Sequence, residues 1–228
     1  MGSNCRIKLL TQVSHLSAQD SLFRFHNKIV SLPQINIMTS VHNKLIILTA
    51  PSGSGKTSIT HFLINKYPKL SFSISATTRL ARGDEKNGQE YYFMSVDDFK
   101  KKIDEKGFIE WEVVYEGKYY GTLKSELERI WDEGKVPMLD IDVQGAVHVQ
   151  QKFAGDCLSV FIEPPSVAEL RRRLESRGTE TSEGLETRVS KASYEMSFKQ
   201  HFTKTILNDN LPKACAEAEQ IIKDFLGW

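Results

Sequence analysis

The sequence predicts an α/β fold: a three-layer core with a parallel sheet, an inserted β-rich lobe and a small helical lid. From Lys44 onward, apolar strand-like segments alternate with helical ones, which is typical of a parallel sheet covered on both faces. Between 77 and 121 aromatic residues crowd among strand-like runs at 90–94 and 108–115, which indicates the lobe. The polar segment 177–184, between two helical segments, has the composition of a mobile lid.

Periodicity and capping signals give the elements of the predicted fold. The predicted strands are 44–49, 72–76, 136–141, 158–162 and 204–208. The predicted helices are 56–66, 123–133, 144–153, 166–177, 184–201 and 212–226, with a short one from Ser95 to about Lys106. Ser166 and Glu169 have the spacing of a capping box, and Gly134 fits the position just after a helix end.

The segment between the first strand and the first helix is the most specific motif. Its residues match a phosphate-binding loop, with alanine where the first glycine usually stands: Ala50, Pro51, Ser52, Gly53, Ser54, Gly55, Lys56, Thr57 and Ser58. Glycines let backbone N–H groups face a phosphate, and the helix N-terminus adds positive potential. We expect Lys56 to reach the outer phosphates of a nucleoside triphosphate and Thr57 to ligate Mg²⁺. The motif therefore predicts a P-loop NTPase-type core.

Two aspartates close the apolar strand 136–141. Such a carboxylate commonly helps to hold the magnesium ion that accompanies a phosphate-binding loop, and we assign this role to Asp140. Asp142 lies two residues further along, so the period of a strand puts both side chains on one face, toward the phosphates. The other interpretation is that these aspartates are turn residues or a helix cap.

Three arginines near the predicted lid are candidates for catalysis. Arg173 and Arg177 lie one turn apart on one helix face, and Arg188 begins the helix beyond the lid segment. Arginines aimed at a transferring phosphoryl group stabilise its charge. The alternative interpretation, a solvated helix face, is expected to describe Arg171 and Arg172.

Polar residues in and before the lobe form another group: Ser75, Arg79, Arg82, Tyr91, Glu110, Tyr120 and Thr122. Two arginines and tyrosine hydroxyls can bind a monophosphate. A carboxylate only accepts hydrogen bonds, so Glu110 suits the adjacent N1–H and N2–H₂ donors of guanine, which adenine lacks. Glu110 is equally compatible with an exposed strand position that alternates with buried neighbours.

The composition of the whole chain excludes several classes of function. The net charge of +1 gives no overall basic field for nucleic acid, and no apolar run is long enough to cross a membrane. Three scattered cysteines form neither a metal-binding spacing nor a disulfide framework, which favours a reducing, cytoplasmic location. Nothing in the sequence indicates an oligomeric state.

Residues 1–42 differ from the rest of the chain, because they are poor in acidic residues and have weak periodicity. We expect a disordered extension, or a start codon placed too early with Met38 as the natural first residue. An organelle transit peptide and a functional arm are the alternatives.

Together with the loop, six further segments resemble the guanylate kinases, and the resemblance extends from about Lys44 to Phe225. They are Ser73-Ile74-Ser75-Ala76-Thr77-Thr78-Arg79, Asn87-Gly88-Gln89-Glu90-Tyr91-Tyr92-Phe93, Phe108-Ile109-Glu110-Trp111, Tyr119-Tyr120-Gly121-Thr122, Leu139-Asp140-Ile141-Asp142-Val143-Gln144-Gly145 and Arg173-Leu174-Glu175-Ser176-Arg177-Gly178-Thr179. The resemblance implies a core (43–76, 123–175 and 191–228), a GMP-binding lobe (77–122) and a lid (176–190). It covers nearly all of the chain except the N-terminal extension.

The resemblance also implies the reaction and the roles of the residues. The γ-phosphoryl group of Mg·ATP would pass to GMP, and also to dGMP, with Lys56, Arg173, Arg177 and Arg188 acting in catalysis. Asn208 would lie near the adenine. The implied GMP-binding residues are Ser75, Arg79, Arg82, Tyr91, Glu110, Tyr120, Thr122 and Asp142. The alternatives are a guanylate-kinase-like peptide-binding module without catalysis and a kinase for another nucleoside monophosphate.

Overall fold

The computed structural model describes residues 43–115, 117–176 and 182–228. The predicted extension 1–42 and the predicted catalytic residue Arg177 therefore lie outside the described residues. In the described ranges, no helix combines the length and the apolar character that crossing a membrane requires.

Nine strands and seven helices make up the described fold. The strands are β1 (Leu45–Thr49), β2 (Leu70–Phe72), β3 (Ala76–Thr77), β4 (Tyr92–Phe93), β5 (Phe108–Tyr115), β6 (Lys118–Leu123), β7 (Val136–Asp140), β8 (Cys157–Glu163) and β9 (Lys204–Leu207). The helices are α1 (Lys56–Lys66), α2 (Val96–Asp104), α3 (Lys124–Asp132), α4 (Val143–Lys152), α5 (Val167–Ser176), α6 (Ser182–Met196) and α7 (Leu211–Leu226). A 3₁₀ turn spans Lys199–His201.

The core sheet has five parallel strands in the order β2-β7-β1-β8-β9. Successive residues of the central strand β1 face opposite sides, as the two-residue period of a strand requires. Ile46 and Leu48 pack into the hydrophobic cluster that contains residues of α1 and α7, whereas Leu45 and Ile47 pack into the one formed with α3 and α4. Helices thus cover both faces, and the predicted three-layer core is confirmed.

A second sheet of four strands, in the order β4-β3-β6-β5, forms the lobe. β3 pairs antiparallel with β6, which in turn pairs antiparallel with β5, and a separate cluster around Phe99 and Phe108 fills its core. The strand predicted at 72–76 is wrong, because this segment leaves the core sheet after Phe72 and joins the lobe sheet at Ala76. Strand β6 was not predicted.

The helix ends follow the capping signals closely. Ser95 Oγ accepts a hydrogen bond from Asp98 N (3.0 Å) at the start of α2, and Gly134 has φ +69° after the end of α3. Ser166 Oγ accepts from Glu169 N (3.0 Å), which is one half of the predicted capping box. The helix predicted at 184–201 is interrupted, because α6 ends at Met196 before the 3₁₀ turn.

Candidate active site

The predicted phosphate-binding loop forms one wall of a cavity of about 350 Å³ at the carboxyl end of the core sheet. Residues 50–58 line it together with Asp140, Ile141, Asp142 and Glu195. Gly53 and Gly55 have φ +93° and +90°, a left-handed backbone that glycine adopts most easily. The backbone φ of Ala50 is not positive, so alanine is tolerated where the motif usually has glycine.

Lys56 lies at the base of this cavity and donates a hydrogen bond to Asp140 Oδ1. Burial lowers the pKa of Lys56 to about 8, while the charges of Glu195 and Asp142 oppose that shift. The ammonium group and the Asp140 carboxylate form an ion pair. A phosphate in the cavity would offer Lys56 a second anionic partner.

The donors near the loop fit the coordination that Mg²⁺ prefers. Thr57 contributes an exposed hydroxyl and Asp140 a carboxylate, and both line the cavity. Mg²⁺ is usually held by one or two protein oxygens together with substrate phosphates and waters. Among the described residues, there is no cluster of three or more His, Cys, Asp or Glu side chains that could hold a metal ion.

A second cavity, of about 200 Å³, adjoins the first. It is lined by lobe and core residues: Ser75, Tyr91, Glu110, Glu112, Tyr120, Gly121, Asp140, Ile141 and Asp142. The residues from Asp140 to Asp142, at the end of β7, line both cavities. Asp142 lies beyond the strand and caps α4, because its Oδ1 accepts a hydrogen bond from Gly145 N (2.7 Å). Asp142 is thus the helix cap of the alternative interpretation and not a strand residue, while both aspartates line both cavities.

Glu110 lies at one end of the second cavity and is not the exposed strand residue of the alternative interpretation. Thr122 Oγ1 donates to Glu110 Oε1 (2.6 Å) across the β5–β6 pair. Burial raises the pKa of Glu110 to about 7, and the charge of Asp142 adds to the shift. Glu110 Oε2 lies near α4, only 3.0 Å from where a Cβ at Gly145 would stand.

The arginine and tyrosines predicted to bind a monophosphate lie near each other. The Arg79 guanidinium lies over the Tyr91 ring (4.7 Å), and the ring of Tyr91 meets that of Tyr120 edge to face (6.1 Å). Arg79 forms a two-point ion pair with Glu85 (2.6 and 2.7 Å), which lowers the pKa of Glu85 to about 2. Arg82 is exposed, and its backbone N–H donates to Glu85 Oε2 (2.8 Å).

The two described arginines that were predicted to act in catalysis contact different residues. Arg188 Nη1 donates to Ser52 Oγ (2.8 Å), so this side chain reaches the phosphate-binding loop from α6. Arg173 Nη2 donates to the carbonyl oxygen of Asn208 (3.0 Å), beside a further cavity of about 290 Å³. Asn208 Nδ2 in turn donates to Ser54 O (2.7 Å) and packs tightly against Gly55.

Two carboxylates at the site were not predicted. Glu112 lines the second cavity, and its spacing of two residues from Glu110 along β5 was the available signal. Glu195 is buried and lines the first cavity. It lies two helical turns after Arg188, so the period of the helix was the available signal.

Known proteins are similar in sequence to this chain. The family model for guanylate kinase matches residues 42–225. The chain belongs to the guanylate kinase family. The guanylate kinase of Bacteroides fragilis is 47% identical over 184 residues, which cover 81% of this chain and 90% of that protein. The guanylate kinase of Porphyromonas gingivalis is 45% identical, with 80% and 98% covered.

A solved structure in the family has the same fold. The crystal structure of guanylate kinase from Anaplasma phagocytophilum matches with a TM-score of 0.62 and 28% identity, covering 79% of this chain and 85% of that one. The resemblance inferred from the sequence motifs is thus confirmed. All residues that line the two adjoining cavities fall within the part of the chain that the family model matches.

Proposed function

We infer that this chain is a guanylate kinase, which transfers the γ-phosphoryl group of ATP to GMP and yields ADP and GDP. Besides family membership, one structural observation supports this conclusion. A cavity built on a phosphate-binding loop and a cavity built on Glu110 meet at the end of β7. Two nucleotides bound in adjoining cavities would bring a donor and an acceptor phosphate together.

Recognition of guanine is assigned to Glu110. Its carboxylate accepts hydrogen bonds from N1–H and N2–H₂, and the Thr122 hydroxyl holds one oxygen in place. Ser75 lines the same cavity. Since no described residue has been assigned to the sugar, dGMP is proposed as a second acceptor.

Binding of the GMP phosphate is assigned to Arg79, Tyr91 and Tyr120, with Arg82 completing the group when the lobe closes. Arg79 is held by Glu85 before substrate arrives, so its side chain loses little further conformational freedom on binding. The lobe is residues 77–122 and the lid is residues 176–190. Closure of both would exclude water from the transferring phosphoryl group.

Transfer rests on positioning and electrostatic stabilisation, without a covalent intermediate. Lys56 and the backbone N–H groups of the loop bind the ATP phosphates, while Arg188 adds positive charge from α6. Thr57 and Asp140 would hold Mg²⁺, which neutralises phosphate charge when bound. Asn208 is assigned to the adenine side of the loop, and Arg173, which donates to its carbonyl oxygen, stays assigned to catalysis.

A coupled assay of ADP release, with GMP, AMP, UMP, CMP and dTMP as acceptors, tests this function. We expect turnover with GMP to exceed that with the other four by orders of magnitude. A preference for another acceptor would make the chain a kinase for that nucleotide. No turnover with any acceptor, together with peptide binding, would make it a non-catalytic module.

A further inference from the structure

Glu126, on α3, is a buried carboxylate with no assigned part in phosphoryl transfer. Its side chain is only 1% exposed, and it lines neither of the two adjoining cavities. Arg129, almost one turn later, pairs with it through two hydrogen bonds (3.0 and 2.9 Å). Because a buried carboxylate costs free energy unless its oxygens meet donors, the further donors that Glu126 meets are informative.

Those further donors come from two segments that belong to the lobe sheet or lead into it. Ile74 N donates to Glu126 Oε1 (3.1 Å), and Tyr92 Oη donates to Glu126 Oε2 (2.8 Å). Ile74 lies where the chain passes from β2 of the core sheet to β3 of the lobe sheet, and Tyr92 begins β4. Glu126 therefore ties the core helix α3 to both segments.

Each of these donors is next in sequence to a residue of the cavity that is proposed to receive GMP, here called the acceptor cavity. Ser75 follows Ile74, Tyr91 precedes Tyr92, and both Ser75 and Tyr91 line this cavity. The two segments are also joined directly, because Tyr92 N donates to Ser75 O (2.9 Å). Binding groups must be held within about 0.5 Å of their productive positions. A shift of either donor would move a cavity residue across a single planar peptide unit.

We propose that Glu126 is a positioning residue for GMP, which holds one wall of the acceptor cavity in place from the core. Through the N–H of Ile74 it fixes Ser75. Through the hydroxyl of Tyr92 it fixes Tyr91. The proposal rests on the proposed function, and Glu126 itself needs no contact with the nucleotide. A carboxylate suits this position because the N–H of a residue between two sheets still requires an acceptor.

Removal of a single hydroxyl from the full chain tests the proposal. Tyr92→Phe deletes one hydrogen bond to Glu126, while the ring keeps its packing against the lobe cluster. KM for GMP should rise about fivefold, with kcat and KM for ATP within about twofold of wild type. The Kd for GMP, measured by calorimetry without ATP, should rise by the same factor.

Tyr67→Phe is the matched control. The Tyr67 hydroxyl also donates to a carboxylate, that of Glu219 on α7, and neither residue lines the acceptor cavity. This variant loses the same kind of hydrogen bond, so its melting temperature reports the general cost of that loss. Its KM for GMP should stay at the wild-type value.

Glu126→Gln completes a double-mutant cycle. Its amide has one accepting oxygen and brings donors of its own, so it cannot accept from every partner of the carboxylate. KM for GMP should rise at least tenfold. Addition of Tyr92→Phe should then raise KM less than twofold further, because the hydroxyl has already lost its carboxylate partner. If Glu126→Gln does not fold, the comparison of Tyr92→Phe with Tyr67→Phe decides.

Three results would overturn the proposal while the kinase assignment stands. KM for GMP could be the same in Tyr92→Phe as in Tyr67→Phe. KM for ATP could rise as much as KM for GMP in Tyr92→Phe, which would show a merely structural role. The effects of Tyr92→Phe and Glu126→Gln could multiply independently, which would show that the hydroxyl acts by another route. If the wild-type chain does not phosphorylate GMP, the proposed function fails and this inference fails with it.

Discussion

Individual side chains at this site have pKa values displaced from those of solvent-exposed residues, downward for Lys56 and upward for Glu110. Lys56 is half-buried beside Asp140, and Glu110 is half-buried against Thr122 and the start of α4. Neither side chain is needed to fill the hydrophobic core. Burial of such charged groups costs stability, which is expected where binding and catalysis are selected.

Lys56→Ala should lower kcat by roughly 10²–10³-fold, because the ammonium group stabilises charge that develops on the phosphates in the transition state. Steady-state kinetics with GMP and ATP measure the effect. Lys66→Ala is the control, since Lys66 lies at the other end of α1 and pairs with Glu219 (2.7 Å). Near-normal turnover in a folded Lys56→Ala variant would contradict the assignment of the loop.

Glu110→Gln should change stability in a pH-dependent way. The pKa of Glu110 is raised from 4.5 to about 7 in the folded protein, so its contribution to stability falls as pH rises between these values. A neutral amide avoids this cost. We expect the variant to exceed wild type in free energy of unfolding by roughly 1–3 kcal/mol at pH 8.5, and by much less near pH 5. Urea denaturation at the two pH values measures the difference in free energy of unfolding between variant and wild type. An equal difference at both pH values would place Glu110 in a solvated environment.

Among the elements, the N-terminal turn of α4 decides how closely the core approaches the acceptor cavity. A Cβ at Gly145 would stand 3.0 Å from Glu110 Oε2 and 3.3 Å from Asp142 Oδ1. Gly145→Ala should therefore raise KM for GMP, by roughly threefold to tenfold, although alanine is the better helix former. Kinetics of Gln144→Ala, which removes a hydrogen bond to Tyr194 at the surface, provide the comparison. Equal KM values in the two variants would show that α4 does not constrain the cavity.

The elements with local signals were predicted well from the sequence. The bounds of α1 match the structure at both ends, because the phosphate-binding loop fixes its start. The break at 73–75 was not predictable from local pattern, because it depends on which sheet each residue joins: Ser73 N donates to Met138 O in the core, whereas Ala76 pairs with Gly121 in the lobe. Tertiary pairing decides such positions.

The candidate site was predictable where a motif or an unusual residue marked it. Glu110 is a carboxylate between apolar neighbours, and the loop has a fixed spacing, so both were identified. Glu195 comes from a helix with no motif of its own, and only the fold brings it to the first cavity. The arrangement of α6 against the core is long-range information that periodicity does not contain.

At the scale of the whole molecule, the described residues that line the two adjoining cavities all lie between 50 and 195. Deletion of residues 1–37 should therefore leave kcat and both KM values within about twofold of the full-length chain, since none of these lining residues is removed. Kinetics and a thermal melt of the two chains, purified in parallel, measure this. Lost activity, or a melting temperature lower by several degrees, would show that the segment contributes to the folded enzyme.

The central claim is that a guanine-reading cavity adjoins an ATP-binding loop, and the ratio of kcat/KM for GMP to that for AMP tests it most directly. We expect a large ratio in the wild-type chain and in Glu128→Gln, whose substitution lies on the exposed face of α3. In Glu110→Gln the ratio should collapse, because kcat/KM for GMP falls on the order of 10⁴-fold when an amide donor faces the donors of guanine. A wild-type ratio near one, or a ratio that Glu110→Gln leaves unchanged, would contradict the account.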